Sequence, residues 1–585
     1  MSQYPKKELA QLVLQQCLAY KIKNVVISPG SRNAPLTIGF VNHPEINALS
    51  VVDERSAAFF ALGMAQQTQD PVAILCTSGS ALLNYYPAVA EAFYSNIPLI
   101  VISADRPAHL IDIGDGQTIR QENVFENHIL FSANLKEDIS GGQSSGLIEK
   151  HQNPTQQAYQ TNLVLNNERI INALEIATSQ KGPVHINVPF DEPLYETTDK
   201  LTSFDFKIEQ KKNKTIENSL LDEIPLEVEE LQKFADIWNA SSKKMLLIGE
   251  HFPDDLIQTQ LSHLIKDPSV LVLTETTSNV HHAKFINNID QLIFPLEADE
   301  LKDLQPEVLI TFGGMIVSKK IKQFLRSNQP KHHWHVDKKN ERDTFHCLNH
   351  HFKISPQLFF SQFFFLTENK ESSYQNYWLE TKLKRKRYHQ AYLNKTDFSD
   401  LKVFDTVLAS LPDRIQLQLA NSSIIRYAQL FDVNNNLQVF CNRGTSGIDG
   451  STSTAIGAAC AVDEQTVFIT GDISFFYDSN ALWNKYIKND FRIILINNSG
   501  GGIFRFIPGP KNSNALEYFE TPHHLNAKPI CELYGLEYCS VKNGDELTAQ
   551  LQNFYDKSDQ PKLLEIFTPR EENDKVLKNY FLNLK

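Results

Sequence analysis

Short apolar runs alternate along the chain with stretches in which small, apolar and aromatic residues recur at helical spacing. In the first third the runs are NVVIS at 24–28, ALSVVD at 48–53, VAILC at 72–76, PLIVIS at 98–103 and PVHINVP at 183–189. Between them, 54–67 and 80–94 suit crossover helices. Buried strands alternating with helices define a parallel sheet covered on both faces, so residues 1–195 are read as one α/β domain. A polar stretch rich in Lys, Asn and Glu makes 196–225 a linker. The strands KMLLIGE, SVLVLTE and EVLITFGG then mark a second α/β domain over 226–365. Another polar segment gives a linker at 366–400, and a third series of strands fills 401–585: RIQLQL, LQVFC, TVFITGD, FRIILINN and PKLLEIF. The expected fold is α/β, with three tandem doubly wound parallel-sheet domains.

Composition narrows the function classes. The 585 residues exceed what one core organises, and 42% hydrophobic with 21% charged residues is ordinary for a globular chain. No apolar run approaches the ~20 residues of a spanning helix, and the first twenty residues lack the apolar core of a signal peptide, so a cytoplasmic protein is expected. A net charge of -13 argues against nucleic acid, which needs a basic surface. The basic run Lys382–Arg387 is read as a solvated helix face. Seven cysteines without a C-x-x-C pair suit reduced thiols.

The strongest chemical signal lies in VFITGDISFFYDSNALWNKYIKNDFRIILINNSGG. Asp472 follows one buried strand and Asn498 follows the next, with a helix-like segment between. Ligands gather at the carboxyl ends of parallel strands, so these two oxygen donors can meet on one ion. Hard oxygen donors suit Mg²⁺, which shares its shell with phosphates and water. Gly471 permits close approach of a diphosphate, and Gly500, Gly501 and Gly502 permit a carbonyl to turn inward. The plainer reading is a helix-capping Asp and a turn Asn. Their pairing across one βαβ unit favours a cation bridging a diphosphate.

This arrangement resembles the signature of thiamine-diphosphate enzymes, which opens G-D-G and closes N-N, although Ile473 stands here at the third position. The resemblance implies thiamine diphosphate with Mg²⁺, or Mn²⁺ in its place, held by Asp472, Asn498 and the Gly500 carbonyl, with Gly471, Ile473 and Ser474 at the cofactor. It also implies a carboxyl that hydrogen-bonds the aminopyrimidine ring. Glu54, in SVVDERSAAFFALGMA, fits by position, against the simpler role of complementing a helix N-terminus. Since such enzymes complete their sites between subunits, a homodimer or homotetramer follows.

Read together, SPGSRNAPLT at 28–37, VVDERSAAFFALG at 51–63, SADRP at 103–107 and NRGTSGIDGSTSTAIG at 442–457 resemble the 2-succinyl-5-enolpyruvyl-6-hydroxy-3-cyclohexene-1-carboxylate synthase family. That resemblance implies decarboxylation of 2-oxoglutarate and addition of the four-carbon carbanion to isochorismate, with release of CO₂, towards menaquinone. Both substrates carry two carboxylates, which planar Arg pairs with well. By matched position, Ser31, Arg32, Arg106, Gln117, Ser422, Arg426 and Arg443 are implied substrate contacts, with Arg120 a weaker candidate. A structural ion pair is the alternative for any single Arg. Ile448 is implied beneath the cofactor, and Ile503 and Phe504 as an apolar wall that excludes water; each would also serve as an ordinary core residue. The middle domain shows no G-x-G-x-x-G context and is read as a spacer. Acetohydroxyacid synthases and simple 2-oxo acid decarboxylases are the other enzymatic reading, against which the loop arginines argue. A catalytically silent scaffold would have no chemical need to keep Glu54, Asp472 and Asn498 together.

Overall fold

The computed structural model describes residues 3–137, 156–204, 206, 223–506, 509–510 and 513–585. The linker expected at 196–225 lies mostly outside them. Among the described residues no helix is long and apolar enough to cross a membrane.

Three sheets carry the fold. The first contains β1 (Asn24–Ile27), β2 (Asn47–Ser50), β3 (Val72–Cys76), β4 (Leu99–Asp105), β5 (Phe131–Asn134) and β6 (Val184–Pro189), in the order β2-β1-β3-β4-β6-β5. The second contains β7 (Lys244–Ile248), β8 (Val270–Thr274), β9 (Val308–Phe312), β10 (His332–Val336) and β11 (His350–Phe352), in the order β8-β7-β9-β10-β11. The third contains β12 (Gln416–Leu419), β13 (Gln438–Cys441), β14 (Thr466–Gly471), β15 (Arg492–Asn497), β16 (Glu537–Val541) and β17 (Lys562–Phe567), in the order β13-β12-β14-β15-β17-β16. Pairing within each sheet is parallel. The first and third sheets therefore share one topology, and in each the strand order reverses beside the first strand. In open parallel sheets ligands gather at such a reversal, here outside the carboxyl ends of β1 and β3 and of β12 and β14.

The chain divides into two compact units, Met1–Asn213 with Gly444–Glu464 and Ser474–Phe491, and Lys214–Arg443 with Gln465–Ile473 and Arg492–Lys585. In the first unit the helix Glu54–Thr68 starts where Asp53 accepts the Ser56 amide at 3.2 Å, and it ends at Gln69 in the left-handed region. It lies against the helix Ser451–Ala461, and two glycines set how closely. A Cβ on Gly63 would stand 2.0 Å from the Thr454 carbonyl oxygen, and one on Gly457 1.9 Å from that of Phe60. Gly63→Ala is therefore expected to force the helices apart and destabilise this unit by about 1–3 kcal/mol, seen as a lower denaturation midpoint. The helix expected over 80–94 is interrupted at Tyr85 and restarts as Tyr86–Ser95, with Pro87 in the first turn, where its missing N–H costs nothing.

In the second unit the segments that follow β7 and β9 stay paired through their backbone. The Gly249 amide donates to the Phe312 carbonyl at 3.0 Å and the Gly314 amide to that of Glu250 at 2.6 Å. A Cβ on Gly249 would meet the Gly314 oxygen at 2.2 Å, so glycine is needed where these two strand ends meet. The segment expected as the 366–400 linker holds a long helix, Tyr374–Leu393. Its basic run is only partly solvated: Lys386 pairs with Asp432 at 2.6 Å, whereas Arg385 is buried and donates to the Leu584 carbonyl. Arg385 thereby anchors the C-terminus.

Candidate active site

In the second unit, β14 and β15 end side by side and deliver Asp472 and Asn498. Asp472 is buried at 3% exposure. Its Oδ1 accepts the Ile473 amide at 2.7 Å, its Oδ2 accepts the Gly500 amide at 2.9 Å, and His523 Nε2 stands 3.2 Å from Oδ2. Asn498 Nδ2 donates to Asp400 Oδ2 at 3.0 Å, while Asn498 Oδ1 is buried without a hydrogen-bond partner. Gly500 has φ +148°, and a Cβ there would stand 2.7 Å from the Glu520 carbonyl oxygen. Glycine is thus required for the turn that brings its backbone to Asp472.

A buried amide oxygen with no partner costs about 1–3 kcal/mol unless something binds it. Among the described residues no three His, Cys, Asp or Glu side chains group to hold a metal, so protein acids alone do not complete a cation site. One carboxylate, one amide oxygen and backbone oxygens form a hard set of the kind that takes Mg²⁺ together with phosphate oxygens. A Cβ on Gly471 would meet only Ile424, at 3.8 Å, so the protein itself does not demand glycine there. These residues fit a cation and a diphosphate. Burial pushes the nearby Asp400 carboxyl up to about 6, against the hydrogen bonds from Thr568 and Asn498.

Beside this pair, a cavity of about 90 Å³ is lined by Arg426, Ser423, Asp290, Asp400, Ile503 and Phe581, among others. Arg426 donates to the Val317 carbonyl at 3.4 Å, and its buried Nε has no partner. Burial and then the neighbouring Arg443 lower its pKa, against the fields of Asp290 and Glu275. Arg443 donates to Asn421 Oδ1 at 2.6 Å. Ser422, at φ +65°, occupies the strained turn that follows β12. Ile503 lines the cavity, while Phe504 packs on Phe519 with ring centroids 5.4 Å apart and planes tilted by 34°.

In the first unit, Glu54 opens its helix, half-buried, and Oε2 accepts from Asn84 Nδ2 at 3.2 Å. At the reversal point of the first sheet, Ser31 is exposed and Arg32 buried; Arg32 donates to the Phe190 carbonyl at 3.0 Å and lies 3.2 Å from Glu192. Burial and the nearby Arg106 lower the Arg32 pKa. Arg106 donates to the Gly116 carbonyl at 3.0 Å and pairs with Asp115 at 3.0 Å. Gln117 and Ser78 exchange side chain to backbone hydrogen bonds at 3.2 and 3.0 Å. Arg120 is exposed and paired with Asp112. Its neighbour Gln121, which nothing in the sequence sets apart, is fully buried and bonds the Gly79 amide, Ser103, the Ala104 carbonyl and Asn187. Ile448 and Ser474 also meet in this unit, the Ser474 hydroxyl donating to the Ile448 carbonyl at 2.7 Å.

Comparison with known proteins identifies the family. Three family models match in order: the N-terminal TPP binding domain of thiamine pyrophosphate enzymes over 7–130, the middle domain over 227–419, and the C-terminal TPP binding domain over 422–566. The chain is a thiamine pyrophosphate enzyme in its domain make-up. The chain is 52% identical over 583 residues to a 2-succinyl-5-enolpyruvyl-6-hydroxy-3-cyclohexene-1-carboxylate synthase from Flavobacterium johnsoniae, covering 99% of this chain and 100% of the relative. It is 52% identical to the synthase of that name from Christiangramia forsetii, with both chains covered fully, and 37% identical to the one from Porphyromonas gingivalis, covering 99% and 98%. The chain belongs to the 2-succinyl-5-enolpyruvyl-6-hydroxy-3-cyclohexene-1-carboxylate synthase family.

Proposed function

We propose that this chain decarboxylates 2-oxoglutarate and adds the remaining four-carbon unit to isochorismate, giving 2-succinyl-5-enolpyruvyl-6-hydroxy-3-cyclohexene-1-carboxylate and CO₂ on the route to menaquinone. The observation that carries this reading is the partnerless Asn498 oxygen beside buried Asp472, next to a cavity edged by the under-bonded Arg426. A cation and diphosphate position thus adjoins a position for an acidic substrate. The working enzyme is a homodimer or homotetramer in the cytoplasm. Its domains run 1–195 and 401–585 for the cofactor, with 226–365 between them and linkers at 196–225 and 366–400.

Asp472, Asn498 and the Gly500 carbonyl would hold Mg²⁺, or Mn²⁺, with Gly471, Ile473 and Ser474 along the diphosphate. Thiamine diphosphate, when bound, supplies an acidic carbon that attacks a 2-oxo group and a sink for the electrons left when CO₂ departs. Glu54 would hold a proton at the aminopyrimidine ring, a hydrogen bond of the kind that tunes proton transfer. Ile448 would pack against the cofactor. Arg426, Arg443, Arg32 and Arg106, with Ser31, Gln117 and Ser422, bind and orient carboxylates. Ile503 and Phe504 keep water from the reacting carbon.

Arg426→Lys replaces a planar fork by a point charge. It is expected to raise KM for one dicarboxylate about tenfold, the worth of one charge-assisted bond, with kcat little changed in steady-state assays. The reading itself is tested by incubating purified protein with thiamine diphosphate, Mg²⁺ and 2-oxoglutarate, with and without isochorismate. Cofactor-dependent loss of isochorismate absorbance, with the product seen by mass, supports it. Turnover of pyruvate without use of isochorismate moves the chain to another branch of thiamine enzymes.

A further inference from the structure

The twin asparagines that close the cofactor motif have the same chemistry and opposite surroundings. Asn497 is saturated: Nδ2 donates to Glu565 Oε1 at 2.7 Å and to the Leu525 carbonyl at 3.0 Å, and Oδ1 accepts the Ser499 amide at 3.0 Å. Asn498 is bonded on one side only, Nδ2 to Asp400 Oδ2 at 3.0 Å, and its buried Oδ1 has no partner. An amide can present either end to a cation position, and only the oxygen end is useful there. The neighbouring carboxylate decides between the two, because an ionised carboxylate accepts and cannot donate.

We propose that Asp400 is the positioning residue of the cation site, fixing the Asn498 amide with Oδ1 toward the metal position; this rests on the reading of Asn498 as a metal ligand. Asp400 is suited to the task because three elements hold it. Its amide donates to Asn573 Oδ1 at 2.8 Å, at the start of the C-terminal helix Asn573–Asn583. Its Oδ1 accepts the Thr568 hydroxyl at 2.6 Å, and the Thr568 amide in turn donates to the Asn497 carbonyl at 3.0 Å, just past β17. Ser399 caps the helix Asp400–Ser410 on which it stands. With Oδ1 taken by Thr568, Oδ2 is left for Asn498. Gly502 leaves room on the other flank, where a Cβ would lie 3.1 Å from Asn498 Nδ2. Outer partners that orient metal ligands in this way are worth about 10- to 100-fold in metal affinity.

The test is titration of Mg²⁺ into the full-length protein at saturating thiamine diphosphate, followed by calorimetry, for wild type, Asp400→Asn, Thr568→Val and Asn498→Ala. Asp400→Asn keeps the shape but lets the facing amide turn either way. It is expected to raise the Mg²⁺ dissociation constant about 10- to 100-fold, with the thiamine diphosphate affinity at saturating Mg²⁺ and the melting temperature unchanged. Thr568→Val, which frees Asp400 to rotate, is expected to raise it several-fold, and it carries the test if Asp400→Asn fails to fold. A Mg²⁺ affinity unmoved in both variants, while Asn498→Ala loses it, overturns the positioning role. Affinity retained in Asn498→Ala overturns the ligand reading instead.

Discussion

Glu54→Gln is expected to lower kcat for isochorismate consumption by about 10² to 10⁴, the range that one positioned proton-transfer group supplies. Glutamine keeps the length of the side chain and can still accept the Asn84 amide hydrogen bond. What it cannot do is hold a proton in exchange with a ring nitrogen. The competing role for Glu54, a negative charge at the start of the helix Glu54–Thr68, makes a different forecast. Loss of that charge costs about 0.3–1 kcal/mol of stability and nothing in turnover. The two roles therefore separate on paired measurements of kcat and melting temperature. A variant slightly less stable but fully active would remove Glu54 from the chemistry.

The parts of the candidate site legible in the sequence are those that a strand period exposes. Asp472 and Asn498 each close a largely apolar run, and β14 and β15 are adjacent in the sheet, so the βαβ rule alone makes them neighbours. The loops after β1 and β12 were legible for the same reason: Gly, Ser and Arg after a strand stand out against apolar surroundings. Partners brought in from afar left no such trace. Asp400 begins a helix well upstream of the motif, in a polar stretch that reads as a linker, and only the fold sets it against Asn498. Gln121 looks no different in sequence from Gln117 or Arg120, yet it alone of the three is fully buried.

The helix Tyr374–Leu393 extends well beyond the helix face read at Lys382–Arg387, and its full length is hidden in the sequence for a related reason. Its charged residues are spread around all its faces, so no apolar stripe announces it. It is held instead by single large contacts, such as buried Trp378 and the reach of Arg385 to the chain end. Phe504 shows the limit in the other direction, since adjacency to Ile503 suggested one shared wall, whereas Ile503 lines the cavity and Phe504 packs on Phe519.

Long-range pairing also hides the clamp on the loop that follows Asn498, where Glu520→Gln is expected to cost up to about 3 kcal/mol near neutral pH. The Glu520 side chain is 1% exposed and is gripped from two sides. Arg505 contacts both carboxylate oxygens, one of them at 2.9 Å, and Arg570 does so at 2.9 and 2.7 Å. The backbone carbonyl of the same residue accepts the Gly501 amide at 2.7 Å, so the clamp bears directly on the loop that carries Gly500. Burial alone would raise the pKa of this carboxyl, but the hydrogen bonds from Arg570 and Arg505 overcome it and hold it at about 2, from an ordinary 4.5. A carboxyl whose folded pKa is depressed stabilises the fold fully above its unfolded pKa and loses that contribution as pH falls through the folded value. The stabilisation is thus complete above about pH 4.5 and fades between there and about pH 2. The shift corresponds to roughly 3 kcal/mol, an upper figure because Arg570 is 33% exposed and partly screened by solvent. Denaturant midpoints of wild type and Glu520→Gln should differ most at neutral pH and converge as the pH is lowered through 4. Amide exchange at Gly500 and Gly501 should quicken in the variant at pH 7. Midpoints separated by a gap that does not shrink with acid would mean that packing at Glu520, and not its charge, holds the loop.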